Sequence, residues 1–264
     1  MIGIVGAGTM ARALARGWGE PVLCTDAGSG RALELVAEVG GEAVADNTEL
    51  AERAELVVLC HKPQQLEQVA ADVDGRPSAV ISILSGVPLA ALRAAYPRTP
   101  VLRLAVNLLV EVRQGVVCYA PAEVDGELED EVLARFARLG RLVQVDESLI
   151  PAVIAVSGVG PAYLSLIIEA QVDAAVRHGL PSAVAAELAL RTMAGTATLL
   201  ETNRLDTSGV RRAVGSPGGP TTSGLAALER AGVRGAFHDA ADAVVEAVRA
   251  ATNAHSPFLP DPIE

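Results

Sequence analysis

An α/β fold in two parts, a doubly wound sheet followed by an all-α half, is what three features of the sequence predict. Short apolar runs alternate with helix-forming stretches up to about residue 145, the pattern of parallel strands joined by crossover helices. No convincing strand follows between 149 and 253, where alanine-rich helical segments dominate. At the head of the chain, Gly6-Ala7-Gly8 stands directly between an apolar run and a helix-forming stretch. The boundary is expected near 149, giving domains 1–149 and 150–264.

The opening stretch organises the rest. Residues 1–5 have strand composition, and Thr9 onward has helix composition. The spacing Gly6-x-Gly8-x-x-Ala11 is a dinucleotide-binding fingerprint: the first Gly allows the turn, the second lets backbone approach a pyrophosphate, and a small third residue lets helix and strand pack. Unpaired N–H groups at the helix start then face the phosphates. The first half is therefore Rossmann-like.

Because the first core strand begins at residue 1, no room is expected for a signal or transit peptide. No apolar run is expected to reach the roughly 18 residues that span a bilayer. Cys24, Cys60 and Cys118 are few, scattered and mostly within apolar runs, as reduced core residues of a cytosolic protein would be. A net charge of -11 argues against nucleic acid or an anionic membrane as partner, since both are bound by clustered Lys and Arg. The expected location is cytoplasmic.

The second strand is expected at 22–25, ending in Asp26, with Ala27-Gly28-Ser29-Gly30-Arg31 next. An acidic residue here suits the ribose 2′-OH of NADH, and nearby Arg and hydroxyl groups suit the 2′-phosphate of NADPH. Both signals are present, Asp26 for the first and Ser29 with Arg31 for the second. A helix follows over 31–39, a short strand over 41–45, and a short helix over 47–53 with Asn47 as its expected N-cap. The buried strand 56–60 runs into His61-Lys62-Pro63-Gln64, at the sheet edge where such folds bind ligands. Lys62 is the only lysine in the chain. His61 alone at a strand end reads as hydrogen-bonded structure.

Further strands are expected at 79–84, 100–104, 115–120 and 141–145, with helices at 88–95 and 127–139 and an antiparallel edge allowed. After Asp146 the character changes. A long helix opens around Ser157-Gly158-Val-Gly160-Pro161-Ala162-Tyr163 and runs to about His178, stopped by Gly179-Leu-Pro181. No basic residue lies between Arg141 and Arg177, so this helix must be buried in its domain or against another subunit. Residues 183–202 form a second helix, and Phe237, Ala241, Val244 and Val248 make one stripe of a last one. Between them, 214–224 is the densest run of turn residues and hydroxyls in the chain. Its small residues expose backbone N–H groups that can cradle a carboxylate, with Ser216, Thr221 and Thr222 adding hydroxyls.

Taken in order, Gly6-Ala-Gly-Thr-Met-Ala, Lys62-Pro63-Gln64, Ser82-Ile-Leu-Ser85-Gly86-Val87, Ser157-Gly158-x-Gly160-Pro161-Ala162-Tyr163 and Ser216-Pro217-Gly218-Gly219-x-Thr221 resemble the pyrroline-5-carboxylate reductases, which make proline from a cyclic imine. The resemblance covers the whole chain. It implies a dinucleotide-binding domain followed by a helical dimerisation domain, an imino-acid substrate, and a homodimer or ring of dimers. Carried over residue by residue, Gly6, Gly8, Thr9, Met10, Asn47, Lys62 and Pro63 line the cofactor, with Asn107 from the segment after the sixth strand. Ser216, Gly218, Gly219 and Thr221 hold substrate. On family grounds the cofactor is NADPH, with NADH open.

One segment departs from the family. Where such enzymes carry Arg-x-Met-Pro-Asn-Thr-Pro, this chain has Arg103-Leu-Ala105-Val106-Asn107-Leu108-Leu109, which leaves open another cyclic imino acid as substrate, or a non-catalytic dinucleotide-binding protein. A 3-hydroxyacid dehydrogenase, by family analogy, needs a catalytic lysine on the interdomain helix, and none is there. The expected chemistry needs no conventional acid or base: an imine arrives protonated, and its carbon accepts hydride directly. Thr221 is assigned to orient the imine nitrogen. The scattered His61, His178, His238 and His255 offer no metal cluster.

Overall fold

The computed structural model describes residues 1–253; His255 lies outside them. Two compact units result among the described residues, 1–159 with 242–253, and 160–241. The first is built on eight strands: β1 (Ile2–Val5), β2 (Val22–Thr25), β3 (Gly41–Ala43), β4 (Leu56–Leu59), β5 (Ala79–Ser82), β6 (Val101–Val106), β7 (Gly115–Tyr119) and β8 (Gly140–Gln144). They form one sheet in the order β3-β2-β1-β4-β5-β6-β7-β8. Every pairing is parallel except β6 with β7, so the last two strands run together against the other six.

Both faces of the sheet are apolar, and alternate residues of each strand serve opposite sides. Ile2, Ile4, Leu56, Val58 and Ile81 join the core under α1 (Thr9–Trp18), α2 (Arg31–Val39) and the later crossover helix Gly126–Ala137. Val5, Val57, Leu59 and Val80 join the opposite core under α3 (Asn47–Arg53), α4 (Leu66–Val73) and α5 (Leu89–Ala95). The helix Gly126–Ala137 is α6. The single tryptophan, Trp18, is anchored there: its ring meets Phe136 edge-on at 5.3 Å and its Nε1 donates to the Arg135 carbonyl at 3.1 Å.

Three sequence expectations are corrected. The cap of α3 is Asp46, whose carboxylate accepts the Glu49 N–H at 2.9 Å; Asn47 is the first helical residue and its amide bonds elsewhere. Residues 66–73, passed over in the sequence, form α4 because Leu66, Val69, Ala70 and Val73 give it a buried apolar stripe. The third concerns apolar length. Glu147–Arg177 is one continuous helical run, α7 (Ile150–Val153) passing through a π-helical turn at Ile154–Gly158 into α8 (Gly160–Arg177). It and α9 (Ser182–Thr202) are each long and apolar enough to cross a membrane by length and composition. The run ends at Arg177, ahead of the Gly179-Leu-Pro181 expected to stop it, and α9 begins at Ser182.

The second unit is helical throughout: α8, α9, α10 (Thr207–Val214), α11 (Pro220–Arg230) and the beginning of α12 (Val233–Asn253). Of the long helix predicted to be covered, α8 buries no residue within the single chain. Leu164, Leu166, Leu188, Leu190 and Leu199 are exposed.

Asp74 closes α4 and yields a stability prediction. Its carboxylate accepts the Arg98 N–H at 3.1 Å, Arg98 Nε at 2.9 Å and the Thr99 hydroxyl at 2.9 Å. Burial alone raises its pKa, but the hydrogen bonds from Arg98 and Thr99 outweigh it and hold the group below the ordinary carboxylate value. A depressed folded pKa adds stability that is complete above the unfolded value of about 3.9 and is lost as pH falls through the folded one. Asp74→Asn is therefore expected to cost about 1–3 kcal/mol at neutral pH. Thermal melts at neutral pH and near pH 2 check it, since the deficit must shrink in acid.

Candidate functional site

The strand order places the switch point between β1 and β4, where the chain first moves outward through β2 and β3 and then returns to the other side. Two connections leave the carboxyl ends of these neighbours. Gly6-Ala7-Gly8 follows β1, and Cys60-His61-Lys62 follows β4. At Gly6 φ is +97°, and a Cβ would lie 2.8 Å from the Cys60 carbonyl oxygen and 2.9 Å from the His61 nitrogen. Gly6 thus lets the two connections touch. At Gly8 a Cβ would meet nothing within 4 Å, so this backbone faces open space.

That space is a cleft of about 530 Å³. Of the cofactor residues read from the sequence, Gly6, Gly8, Asp26, Ser29, Arg31, Asn47 and Lys62 line it. Thr9 and Met10 belong to the first turn of α1 and Pro63 to a short 3-10 turn; their side chains are outside the lining. The amides of Thr9 and Met10 still count, because the first intrahelical donor of α1 is Arg12, bonded to the Gly8 carbonyl, and earlier N–H groups await an anion.

Asn107 is not brought to the cleft. It is buried after β6, its Nδ2 donating to the Ser157 hydroxyl at 3.0 Å and its Oδ1 accepting the Val116 N–H at 3.1 Å. Both ends of the amide are used, so it ties the β6 exit to β7 and to the turn before α8. Arg103 is likewise internal. Its side chain, 6 % exposed, donates to Glu147 at 2.5 Å, and the same carboxylate oxygen accepts the Leu89 N–H at 2.6 Å.

Sequence reasoning missed the wall opposite the glycines. Thr25 donates to Asn47 Oδ1 at 2.8 Å, and Asn47 Nδ2 donates to Asp72 at 3.1 Å, which fixes the amide and leaves one N–H for a ligand. Gln65, Gln68 and Asp72 line the cleft at helical spacing, a signal hidden with α4 itself.

The cleft lining carries three carboxylates and two cations, and what it leaves free for an anion is the cations. The carboxylates of Asp26, Asp46 and Asp72 are each bonded to internal donors. Arg31 and Lys62, the cations of the lining, make no ion pair among the described residues. Burial pushes the Cys60 thiol well above its ordinary value, so no thiolate nucleophile stands there at neutral pH. Burial lowers the His61 pKa against the bond that its Nδ1–H donates to the Lys62 carbonyl at 2.8 Å.

In the second unit, Gly215 to Gly219 turn into α11, and Pro220 takes the first helical position. Thr221, Thr222 and Ser223 are therefore helical, correcting the expectation of a loop through 224. The Thr222 hydroxyl donates to the Ser216 carbonyl at 3.0 Å, and the Gly219 N–H meets the same oxygen at 3.0 Å. Thr222 thus shapes the turn. The Thr221 hydroxyl makes no hydrogen bond among the described residues, and the amides of Thr221 and Thr222 precede the first intrahelical donor, Ser223. Such a helix start receives carboxylates.

A glycine turn at a parallel switch point, with unspent donors and cations around it, defines a dinucleotide-binding protein of the doubly wound class. Comparison with known proteins then supplies the family. Residues 147–251 match the family model for pyrroline-5-carboxylate reductase dimerisation, and residues 1–86 that for NADP oxidoreductase, coenzyme F420-dependent. The pyrroline-5-carboxylate reductase of a Synechocystis species is 40% identical over 213 residues, covering 78% of this chain and 76% of its own. That of Corynebacterium melassecola is 33% identical over 259 residues, covering 93% and 96%. Among solved structures, the 1-pyrroline-5-carboxylate reductase of Streptococcus pyogenes superimposes with a TM-score of 0.87 at 28% identity, over 94% of this chain and 98% of that one. The chain belongs to the pyrroline-5-carboxylate reductase family and carries its dimerisation domain.

Proposed function

We propose that this protein reduces 1-pyrroline-5-carboxylate to L-proline with NADPH, as a cytoplasmic homodimer or ring of dimers. Residues 1–149 hold the cofactor, and residues 150–264 hold the substrate and the partner chain. The observation that carries the reading is the set of donors left unspent: the amides at the start of α1 with Arg31 and Lys62 in the cleft, and the amides and Thr221 hydroxyl at the start of α11. The first set fits a dinucleotide and the second an imino acid.

Bound NADPH supplies the hydride that the iminium carbon accepts, leaving a secondary amine. The chain's residues bind and orient. The amides of Thr221 and Thr222 hold the carboxylate, with the backbone of Ser216 to Gly219 shaping the turn, and the Thr221 hydroxyl faces the ring nitrogen. No side chain has to donate a proton, because the protonated imine brings its own. Oxidation of NADPH on adding pyrroline-5-carboxylate tests the assignment, and proline must appear in equal amount; cofactor binding without turnover would mark a non-catalytic protein. A six-membered cyclic imino acid is the second reading, favoured by the aliphatic run Leu108 and Leu109, both exposed after β6. Comparing kcat/KM for the two rings decides between them.

Association is expected from the apolar helices. Exposed apolar patches beyond a few hundred Å² mark interaction sites, and α8 and α9 leave such a face open. Sedimentation at micromolar concentration is expected to show a dimer or a multiple of it, and a monomer that still turns over substrate would refute the assembly.

A further inference from the structure

At the end of β2 an acidic residue ordinarily binds the adenosine ribose and so favours NADH. Asp26 occupies that position, but its carboxylate is already committed. Oδ1 accepts the N–H groups of Gly28 at 2.8 Å and Ser29 at 3.0 Å, and Oδ2 accepts the Ser29 hydroxyl at 2.9 Å and the Ala32 N–H at 2.9 Å. A carboxylate offers about four acceptor sites. None remains for a ribose hydroxyl.

The four bonds fold the loop into a fixed shape. Gly28 and Gly30 stand at φ +81° and +79°, a region that side chains disfavour, and this brings the loop amides round to Asp26. Ala32 lies in the first turn of α2, so the same carboxylate sews the loop to the helix start. Arg31, caught between Gly30 and Ala32, is thereby placed at the first helical position, exposed, lining the cleft and without an ion pair among the described residues. The Asp26 charge is offset by four donors, and the Ser29 proton is spent on it. What the loop presents to a ligand is the Arg31 guanidinium, a planar donor suited to phosphate.

We propose that Asp26 is a positioning residue that favours NADPH by holding Arg31 for the 2′-phosphate, rather than a ribose ligand that favours NADH. This rests on the reading of the cleft as a cofactor site. The two roles predict opposite signs. Removing a ribose ligand weakens NADH and relieves repulsion of the phosphate, so NADPH tightens. Removing a positioning residue loosens Arg31, so NADPH weakens and NADH changes little.

The test is equilibrium titration of NADPH and of NADH, followed by nicotinamide fluorescence without substrate, for the wild type, Asp26→Ala, Arg31→Ala and the double variant, each checked for folding by circular dichroism. Both single variants are expected to weaken NADPH about tenfold with NADH within about twofold, and the double variant to be no weaker than Arg31→Ala, as for residues acting through one another. Should Asp26→Ala not fold, Asp26→Asn keeps one acceptor oxygen and carries the same comparison of signs. Tighter NADPH with weaker NADH in the Asp26 variant, or additive losses in the double variant, overturns the proposal while leaving the cofactor site intact. A wild type that binds neither dinucleotide overturns the cofactor reading itself.

Discussion

Thr221→Ala is expected to slow turnover about 10²- to 10³-fold while leaving NADPH affinity unchanged, the cost of removing one positioned hydrogen-bonding group from a reacting centre. The structure makes the change clean. The Thr221 hydroxyl has no partner among the described residues, whereas its neighbour Thr222 holds the turn through the Ser216 carbonyl. Loss of Thr221 therefore removes a hydroxyl that has no internal partner and leaves the turn intact. Thr222→Ala should act differently, loosening the turn and raising KM for the imino acid more than it lowers kcat. Thr221→Ser, which keeps the hydroxyl, should recover most of the rate. Stopped-time assays at saturating NADPH, with parallel cofactor titrations, separate these outcomes, and a Thr221→Ala protein with ordinary kcat would remove the hydroxyl from the mechanism.

Gly6→Ala is expected to weaken NADPH binding at least about 100-fold. A methyl here would lie 2.8 Å from the Cys60 carbonyl oxygen and 2.9 Å from the His61 nitrogen. Both obstacles are backbone of a core connection and neither swings aside. The residue also stands at φ +97°, so alanine brings conformational strain of roughly 1 kcal/mol or more beyond the collision. The chain relieves both by opening the turn, which moves the α1 amides that await the phosphates. Gly8→Ala makes the contrast, because its Cβ would enter open space in the free protein and obstruct only a bound ligand. Isothermal titration with NADPH checks the pair. Melting temperature should fall for Gly6→Ala and hold for Gly8→Ala.

What the sequence conveyed, and what it withheld, follows from the range of the forces involved. β2 and α2 appear at the bounds read from sequence, since glycines and Asp26 punctuate them locally. The Gly6 turn was equally legible, because only glycine suits its conformation. α4 was not, as its apolar residues become informative only once a sheet face exists to receive them. The cap of α3 fell one residue off because Asp46 and Asn47 are both good caps and only the pull of Thr25 and Asp72 on the Asn47 amide decides between them. Pro220 was hidden among turn residues although it opens a helix, its missing N–H costing nothing at that position. Asn107 was assigned to a ligand, but its partners Val116 and Ser157 are brought to it by strand pairing and by the chain's return after β8. The commitment of Asp26 to its own loop likewise required knowing where four N–H and O–H groups point, which composition does not carry.

The uncovered apolar faces of α8 and α9 have a thermodynamic consequence. A chain that completes its burial only on meeting a second copy has a folded state governed by mass action, so its stability is a property of the solution as much as of the sequence. For a dimer that unfolds as it separates, each tenfold dilution removes about 1.4 kcal/mol of stability. Melting temperature must then climb with protein concentration, and the newly made chain is least protected when its copies are scarce.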